Sequence, residues 1–387
     1  MAGIPHILFL PSWYPTRVDP LNGIFNRELA QALSARCKIS LLHLVFDPGI
    51  QKVEVVAEPL PNNGLAVVVY LPRFTGLSGF LRNQYLYLRQ FFKQVHWLRS
   101  NRGEIQLSHV QVAWKLGLYA WLLRKRKGIP YIITEHYTGY LPADGELKGR
   151  KKDRSLKLLK EANAVTAVSP ILADELINQG VPAVQVIPNL IHPDFFSVPI
   201  ARNPREFFRF VHVSNARHRQ KQTGVILQVF RDLILAGHRA ELLLIIPDNA
   251  WREFEGQLHQ ADLSSIRHIS PMASRQEFIS HLVGSQCLVS FSRFETFGLT
   301  LAEAVCIGIP CIYTHCGGAE TQFKPGMGIL VDANDPDSLK NAMVQMLDSN
   351  AFQPEWIAPM AREIFAPGKV LDSYTQLYYK VIQSCAE

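Results

Sequence analysis

The sequence has no C-x-x-C pair, no long apolar run and no G-x-G-x-x-G. Six cysteines, at 37, 287, 306, 311, 316 and 385, are scattered, several within apolar runs. They read as buried free thiols in a reducing cytosol rather than as a disulfide framework. The start, MAGIPHILFLPSWYP, is too short an apolar run for a signal peptide and is broken by prolines. No stretch approaches the roughly 20 apolar residues needed to cross a bilayer. The chain is therefore expected in the cytoplasm, soluble or peripheral on the inner face of the membrane. Without G-x-G-x-x-G the dinucleotide fingerprint is absent. Charge is sparse too: 19% of residues are charged against 48% hydrophobic, a globular composition. What is present is length and a positive balance. At 387 residues the chain suits two domains, and a net charge of +7 admits anionic partners.

Short apolar runs alternate with helix-length segments throughout, the pattern of an α/β protein with parallel sheets. Strands are predicted at 6–10, 38–45, 66–71, 107–110, 131–134, 164–169 and 184–187. After a proline- and charge-rich linker at 193–206, a second series follows at 208–213, 241–246, 266–269, 287–291 and 311–313. In such folds ligands gather at the carboxyl ends of strands. Gly23, with Asn22 as the predicted N-cap, lies in the loop after the first strand. Glu135-His136 follows the strand 131–134. The segment 78–103 mixes Phe, Tyr, Leu and Trp with Arg82, Arg89, Lys93, Arg99 and Arg102. It reads either as a basic helix lying on an anionic membrane or as an ordinary domain helix. The densest basic run, Lys148 to Lys160, reads as a solvated helix face or a head-group contact. No aromatic interleaving or nucleic-acid motif accompanies it, so nucleic acid is not an expected partner.

The most informative stretch is 288–323, LVSFSRFETFGLTLAEAVCIGIPCIYTHCGGAETQF. A strand enters a loop carrying Glu295, then Phe297-Gly298, then a helix carrying Glu303. Gly308 and Pro310 end that helix. A glycine pair and Glu320 follow the next strand. A helix that starts just after Gly298 points free N–H groups and its positive dipole end into the loop, which suits a phosphate. Glu295 and Glu303 cannot neutralise a phosphate, but both can accept hydrogen bonds from sugar hydroxyls. A diphosphate between two hydroxylated rings is a nucleotide-sugar.

Glu295 and Glu303 eight positions apart, FG shortly after the first and GG-x-E beyond, resemble the donor site of retaining glycosyltransferases of family 4. The SWYP of the N-terminal loop, TEH at 134–136, and VIPN with HPDFF at 186–196 resemble the same family. The resemblance implies a GT-B fold, α/β, with two Rossmann-like domains facing across a cleft. Residues 1–195 would form the acceptor-binding domain, joined by a C-terminal helix at 368–387. Residues 205–367 would form the nucleotide-sugar-binding domain. It implies an EC 2.4 hexosyltransferase that retains anomeric configuration and uses a UDP- or GDP-type donor. No cofactor or metal is expected, because no D-x-D stands at the end of a strand and positive groups would take the metal's place. The acceptor would be a glycan, a lipid-linked or a small molecule, in bacterial cell-surface synthesis.

Residue by residue, the resemblance assigns His136 to the sugar's reaction face, Glu295 to sugar hydroxyls and Lys221 to the diphosphate, and these three are the catalytic candidates. Glu303 is assigned to the ribose. Gly23 lies against the diphosphate or acceptor, and Met272 neighbours the base. Phe297, Gly298, Leu299 and Thr300 supply the phosphate-facing turn. The family's diphosphate arginine falls on Asn215, so Arg217 or Arg219 would carry that charge. A non-catalytic nucleotide-sugar or membrane-surface module, a GT-B epimerase and a phosphorylase are the competing readings. No cofactor-lysine motif supports the last.

Overall fold

In the computed structural model the described residues are 4–385, apart from 201–206, 215–217, 257–263, 272–273 and 349–350 and the side chains of 218 and 319. Two sheets form. The first holds β1 (His6–Pro11), β2 (Lys38–Asp47), β3 (Glu54–Leu60), β4 (Gly64–Pro72), β5 (Leu107–Gln111), β6 (Tyr131–Glu135), β7 (Ala164–Ala167) and β8 (Gln185–Val186). Their order is β3-β4-β2-β1-β5-β6-β7-β8. All neighbours are parallel except β3 and β4. The second sheet holds β9 (Phe208–Val213), β10 (Ala240–Ile245), β11 (Ile266–Ile269), β12 (Cys287–Ser290), β13 (Cys311–Thr314) and β14 (Gly328–Val331). Its order is β11-β10-β9-β12-β13-β14, all parallel.

Both sheets therefore reverse their winding once. The reversal lies between β1 and β5 in the first sheet and between β9 and β12 in the second. Such switch points open crevices at the carboxyl ends of strands. The Gly23 loop follows β1, and the loops bearing Lys221 and Glu295 follow β9 and β12.

Buried parallel strands account for the unbroken apolar runs that made this sheet legible. β3 escapes the sequence reading, because its residues are mostly exposed and include Glu54, Glu58 and Pro59. It pairs antiparallel with β4 through a tight turn in which Asn62 and Asn63 take φ of 51° and 62°. The strand predicted to reach Ser169 stops at Ala167. The Ser169 hydroxyl instead accepts from the Leu172 N–H and caps the helix Pro170–Asn178.

The helix Pro367–Ser384 returns to the first sheet and buries Val370, Tyr374, Tyr378 and Val381 beside Phe9, Leu41 and Leu107. A separate core lies under the second sheet, around Phe210, Phe230, Leu244 and Met343. A third apolar cluster runs from one half into the other, joining Leu141 and Ile191 with Phe294, Phe297 and Leu301. Five cysteines are buried, Cys385 is exposed and all six are free. No helix among the described residues is long and apolar enough to cross a membrane.

Candidate active site

The helix Leu299–Cys306 begins at Gly298, which sits in the left-handed region at φ 79°. Gly298, Leu299 and Thr300 are each half-buried, so the first turn is partly accessible to solvent. The first N–H groups of a helix have no partner within it, which leaves them for an anion. The Phe297 side chain points the other way: it is 3% exposed and packs edge-on against Phe365. Any part Phe297 has in ligand binding is through its backbone.

The loop before this helix is held from two sides. Across the switch point, the short helix His218–Lys221 and the residue after it are bonded to residues 291–295. Arg293 N–H donates to the Gln220 carbonyl at 2.9 Å. The side chains of Gln220 and Gln222 donate to the carbonyls of Phe294 and Phe291, each at 3.0 Å. Lys221 forms an ion pair with the Glu295 carboxylate, which also accepts from Ser292 Oγ at 3.2 Å. On the other side, Glu295 N–H donates to the Cys316 carbonyl. A Cβ on Gly318 would come within 2.6 Å of the Thr296 backbone, so only glycine fits there. The third acid of the stretch, Glu320, accepts from the Gly317 and Gly318 N–H groups at 2.7 and 3.1 Å. It braces the glycine turn rather than facing a ligand.

Lys221 and Glu295, given separate tasks by the resemblance, are paired with each other. Arg219 is exposed on the same short helix. Arg217, Met272 and Asn215 lie outside the described residues.

His136 meets the same loop from the opposite half. Its carbonyl accepts from the Thr296 hydroxyl at 2.9 Å, so the loop after β6 touches the loop after β12. The ring lies 5.1 Å from Phe25, and Nε2 is 2.6 Å from Gln111 Oε1. Burial lowers its pKa to about 3, opposed by the Asn189 side chain, so the imidazole is neutral. Its neighbour Glu135 is fully buried and accepts from Ala113 N–H and Tyr140 Oη. Burial raises it to about 7 against those two bonds and the backbone N–H groups of Tyr137 and His136.

Gly23 is itself the N-cap of the helix Ile24–Leu33, in place of Asn22, with φ 69°. A Cβ there would meet Trp13 C and O at 2.3 Å. The local backbone alone requires glycine at this position.

Glu303 belongs to a charged cluster that spans both halves and that no local pattern in the sequence reveals. Burial raises Glu303 to about 8, Glu28 adds to the rise and Arg275 opposes it. Arg275 pairs with Glu28 of the first half and reaches Asp194 of the connector at 3.5 Å. Arg275 directly follows Ser274, which caps its helix, and only that position at the carboxyl end of β11 pointed to it. No group of His, Cys, Asp and Glu able to hold a metal occurs among the described residues.

Two family profiles match this chain in succession, "Glycosyltransferase Family 4" over residues 23–195 and "Glycosyl transferases group 1" over residues 208–349. The chain belongs to the group 1, family 4 glycosyltransferases. It is 24% identical over 306 residues to the N-acetyl-alpha-D-glucosaminyl L-malate synthase of Bacillus anthracis, covering 73% of this chain and 77% of that protein. The sucrose-phosphate synthase of Thermosynechococcus elongatus superposes with a TM-score of 0.77 at 18% identity, covering 98% of this chain and all of that one. Anabaena HepE, solved in complex with UDP, superposes with a TM-score of 0.71 at 14% identity over 97% of this chain and all of HepE. This glycosyltransferase has the GT-B fold.

Proposed function

We propose that this glycosyltransferase moves a sugar from a nucleoside-diphosphate sugar to a hydroxyl acceptor with retention at the anomeric carbon. One observation carries the reading: the helix N-terminus at Gly298 lies beside the Lys221–Glu295 pair, and the same loop is bonded to His136 across the cleft. A diphosphate at Leu299 and Thr300 N–H would draw Lys221 from Glu295. The carboxylate released would accept from the sugar's hydroxyls, and Glu303 would accept from the ribose. The anomeric C–O bond to the diphosphate breaks, and the acceptor oxygen forms the new bond. The acceptor's proton ends on the departing diphosphate. Negative charge grows on that leaving group, where the helix N–H groups and Lys221 stabilise it. Closure of the two halves keeps water from the donor. Positive side chains and helix N–H groups do the work a metal would do, and the family resemblance supports retention.

We also place the acceptor at an anionic membrane. The helix Gly76–Arg102 carries no acidic residue. Its second half is docked through Phe91, Val95 and Leu98, while its first half leaves Leu77, Phe80, Leu81 and Tyr85 at 93%, 63%, 69% and 64% exposure. These four form one stripe at helical spacing. Arg73, Arg82 and Arg89 are exposed alongside, each able to add about 1 kcal/mol at an anionic surface. Arg99 takes no part, since it pairs with Glu104. A lipid-linked or surface-glycan acceptor in bacterial envelope synthesis fits this surface.

A panel of UDP-, GDP- and ADP-sugars, scored for slow hydrolysis and by calorimetry, tests the first reading. Hydrolysis with retained configuration in the released sugar supports it. An epimerised sugar, or binding with no turnover under any acceptor, overturns it. Co-sedimentation with phosphatidylglycerol vesicles at low salt tests the second, using Leu77→Ser/Phe80→Ser/Leu81→Ser as the control. Equal pelleting of that variant and wild type refutes the surface.

A further inference from the structure

A buried polar chain runs from His136 to the C-terminal helix. Gln111, at the carboxyl end of β5 and beside the switch point, sits between two histidines. Its Oε1 is 2.6 Å from His136 Nε2 and its Nε2 is 2.8 Å from His109 Nε2. His109 Nε2 also lies 2.7 Å from Thr134 Oγ1, and His109 Nδ1 lies 2.6 Å from Tyr378 Oη. Thr134 in turn meets Thr166 Oγ1 at 2.7 Å and Tyr374 Oη at 3.2 Å. His109, Gln111, Thr134, Thr166 and Tyr378 are fully buried, and Tyr374 nearly so. His136 Nδ1 is buried with no hydrogen bond within normal geometry, and the Asn189 side chain is the other polar group that acts on the ring.

The orientation of the Gln111 amide sets the donors and acceptors along this chain. An amide oxygen only accepts and an amide nitrogen only donates. Both histidines are buried and neutral, so each carries one ring proton. With Oε1 toward His136, that ring must bear its proton on Nε2. With the amide nitrogen toward His109, that ring must present a lone pair at Nε2 and donate from Nδ1 to Tyr378. One glutamine thus sets two tautomers in opposite senses, and the terminal helix anchors the far end.

We propose that Gln111 is a positioning residue that holds His136 as the Nε2–H tautomer, leaving Nδ1 as an acceptor for a substrate hydroxyl. This rests on His136 lying at the reaction face, as read above. The opposite tautomer would present an N–H there and lose the acceptor.

The test uses full-length protein labelled with nitrogen-15 in histidine, read by long-range proton–nitrogen spectra, with His136→Asn and His109→Asn to assign the two rings. Wild type should show His136 protonated at Nε2 and His109 at Nδ1. Gln111→Met, close in shape and without the amide, should turn the His136 signal into a mixture of tautomers. Gln111→Glu accepts at both ends, so it should keep His136 as Nε2–H while reversing His109. Should the buried carboxylate of that variant prevent folding, the methionine variant alone decides. With any donor that wild type hydrolyses in the panel above, Gln111→Met should lower kcat about tenfold, or 1.4 kcal/mol, at near-constant KM. A wild-type His136 protonated at Nδ1, or a tautomer unmoved in Gln111→Met, overturns the proposal. A shifted tautomer with unchanged kcat overturns the role in turnover, and with it His136's place at the reaction face. Absence of turnover in wild type with every donor counts against the donor reading alone, because the spectra need no substrate.

Discussion

The Thr296 hydroxyl donates to the His136 carbonyl at 2.9 Å, binding the loop after β12 to the loop that carries the catalytic-candidate histidine. The bond joins residues 160 positions apart and crosses the cleft between the two halves. A neutral hydrogen bond contributes about 0.5–1.5 kcal/mol net. Thr296→Val should therefore lower kcat/KM roughly three- to tenfold and leave the melting temperature within a few degrees of wild type. Steady-state kinetics with the donor found in the panel measures it. An unchanged kcat/KM would show that this contact does not support the reactive arrangement.

Lys221 and Glu295 lie in a mostly buried pair, with side chains 20% and 11% exposed. Removing one partner strands the other charge, which costs about 3–5 kcal/mol in a fully buried pair and less here. Lys221→Met should weaken nucleoside-diphosphate binding at least tenfold in calorimetry and also lower the melting temperature. From the sequence alone Glu295→Ala would be expected to spare stability; the pair predicts that it does not. Glu295→Gln, which keeps a hydrogen-bonding partner for Lys221, should lose turnover with the smaller loss of stability. Equal diphosphate affinity in Lys221→Met and wild type would remove Lys221 from the phosphate site.

Gly23→Ala should lower the melting temperature by several degrees, because the added methyl meets the Trp13 backbone at a left-handed φ. Lost activity in that variant would report the strained loop, not a donor contact. Differential scanning fluorimetry decides, and a wild-type melting temperature would contradict the packing described.

Arg275 links the halves through Glu28 and Asp194. Arg275→Met leaves the acids facing one another and should destabilise more than Glu28→Gln does. In the double variant the loss should be less than the sum of the two, a coupling of about 0.5–3 kcal/mol. Additive losses in a urea-denaturation cycle would show that the pair contributes nothing.

Glu303 has its carboxyl raised from the ordinary 4.5 to about 8, burial first and Glu28 next. The folded protein thus holds a proton there that the unfolded chain releases. The stability linked to that proton is fully present below about pH 4.5 and is lost as pH rises through about 8. Glu303→Gln does not titrate, so its melting temperature relative to wild type should climb between pH 5 and pH 8. The buried histidines His6, His43, His109, His136 and His212, lowered to between about 3 and about 4, act in the opposite sense below pH 6.5. They are common to both proteins and cancel in the difference. A flat difference would mean that desolvation does not hold a proton on the half-buried Glu303.

Much of this protein is determined by local sequence. Parallel strands buried on both faces require unbroken apolar runs, so most strands of both halves are readable without a structure, while the exposed β3 and the order within each sheet are not. The turn at Gly298 and the acids at 295 and 303 are set by residues adjacent in the chain, and a helix start is a local event. The polar partners are not local. Arg275 meets Glu28 across 247 positions and Tyr378 meets His109 across 269. A charge or hydroxyl carries no periodicity that names its partner. Only the packing of two sheets and a returning helix brought Lys221 onto Glu295 and Gln111 between two histidines. Burial then set which of these groups are neutral, since desolvation depends on what surrounds a side chain and not on which residue it is.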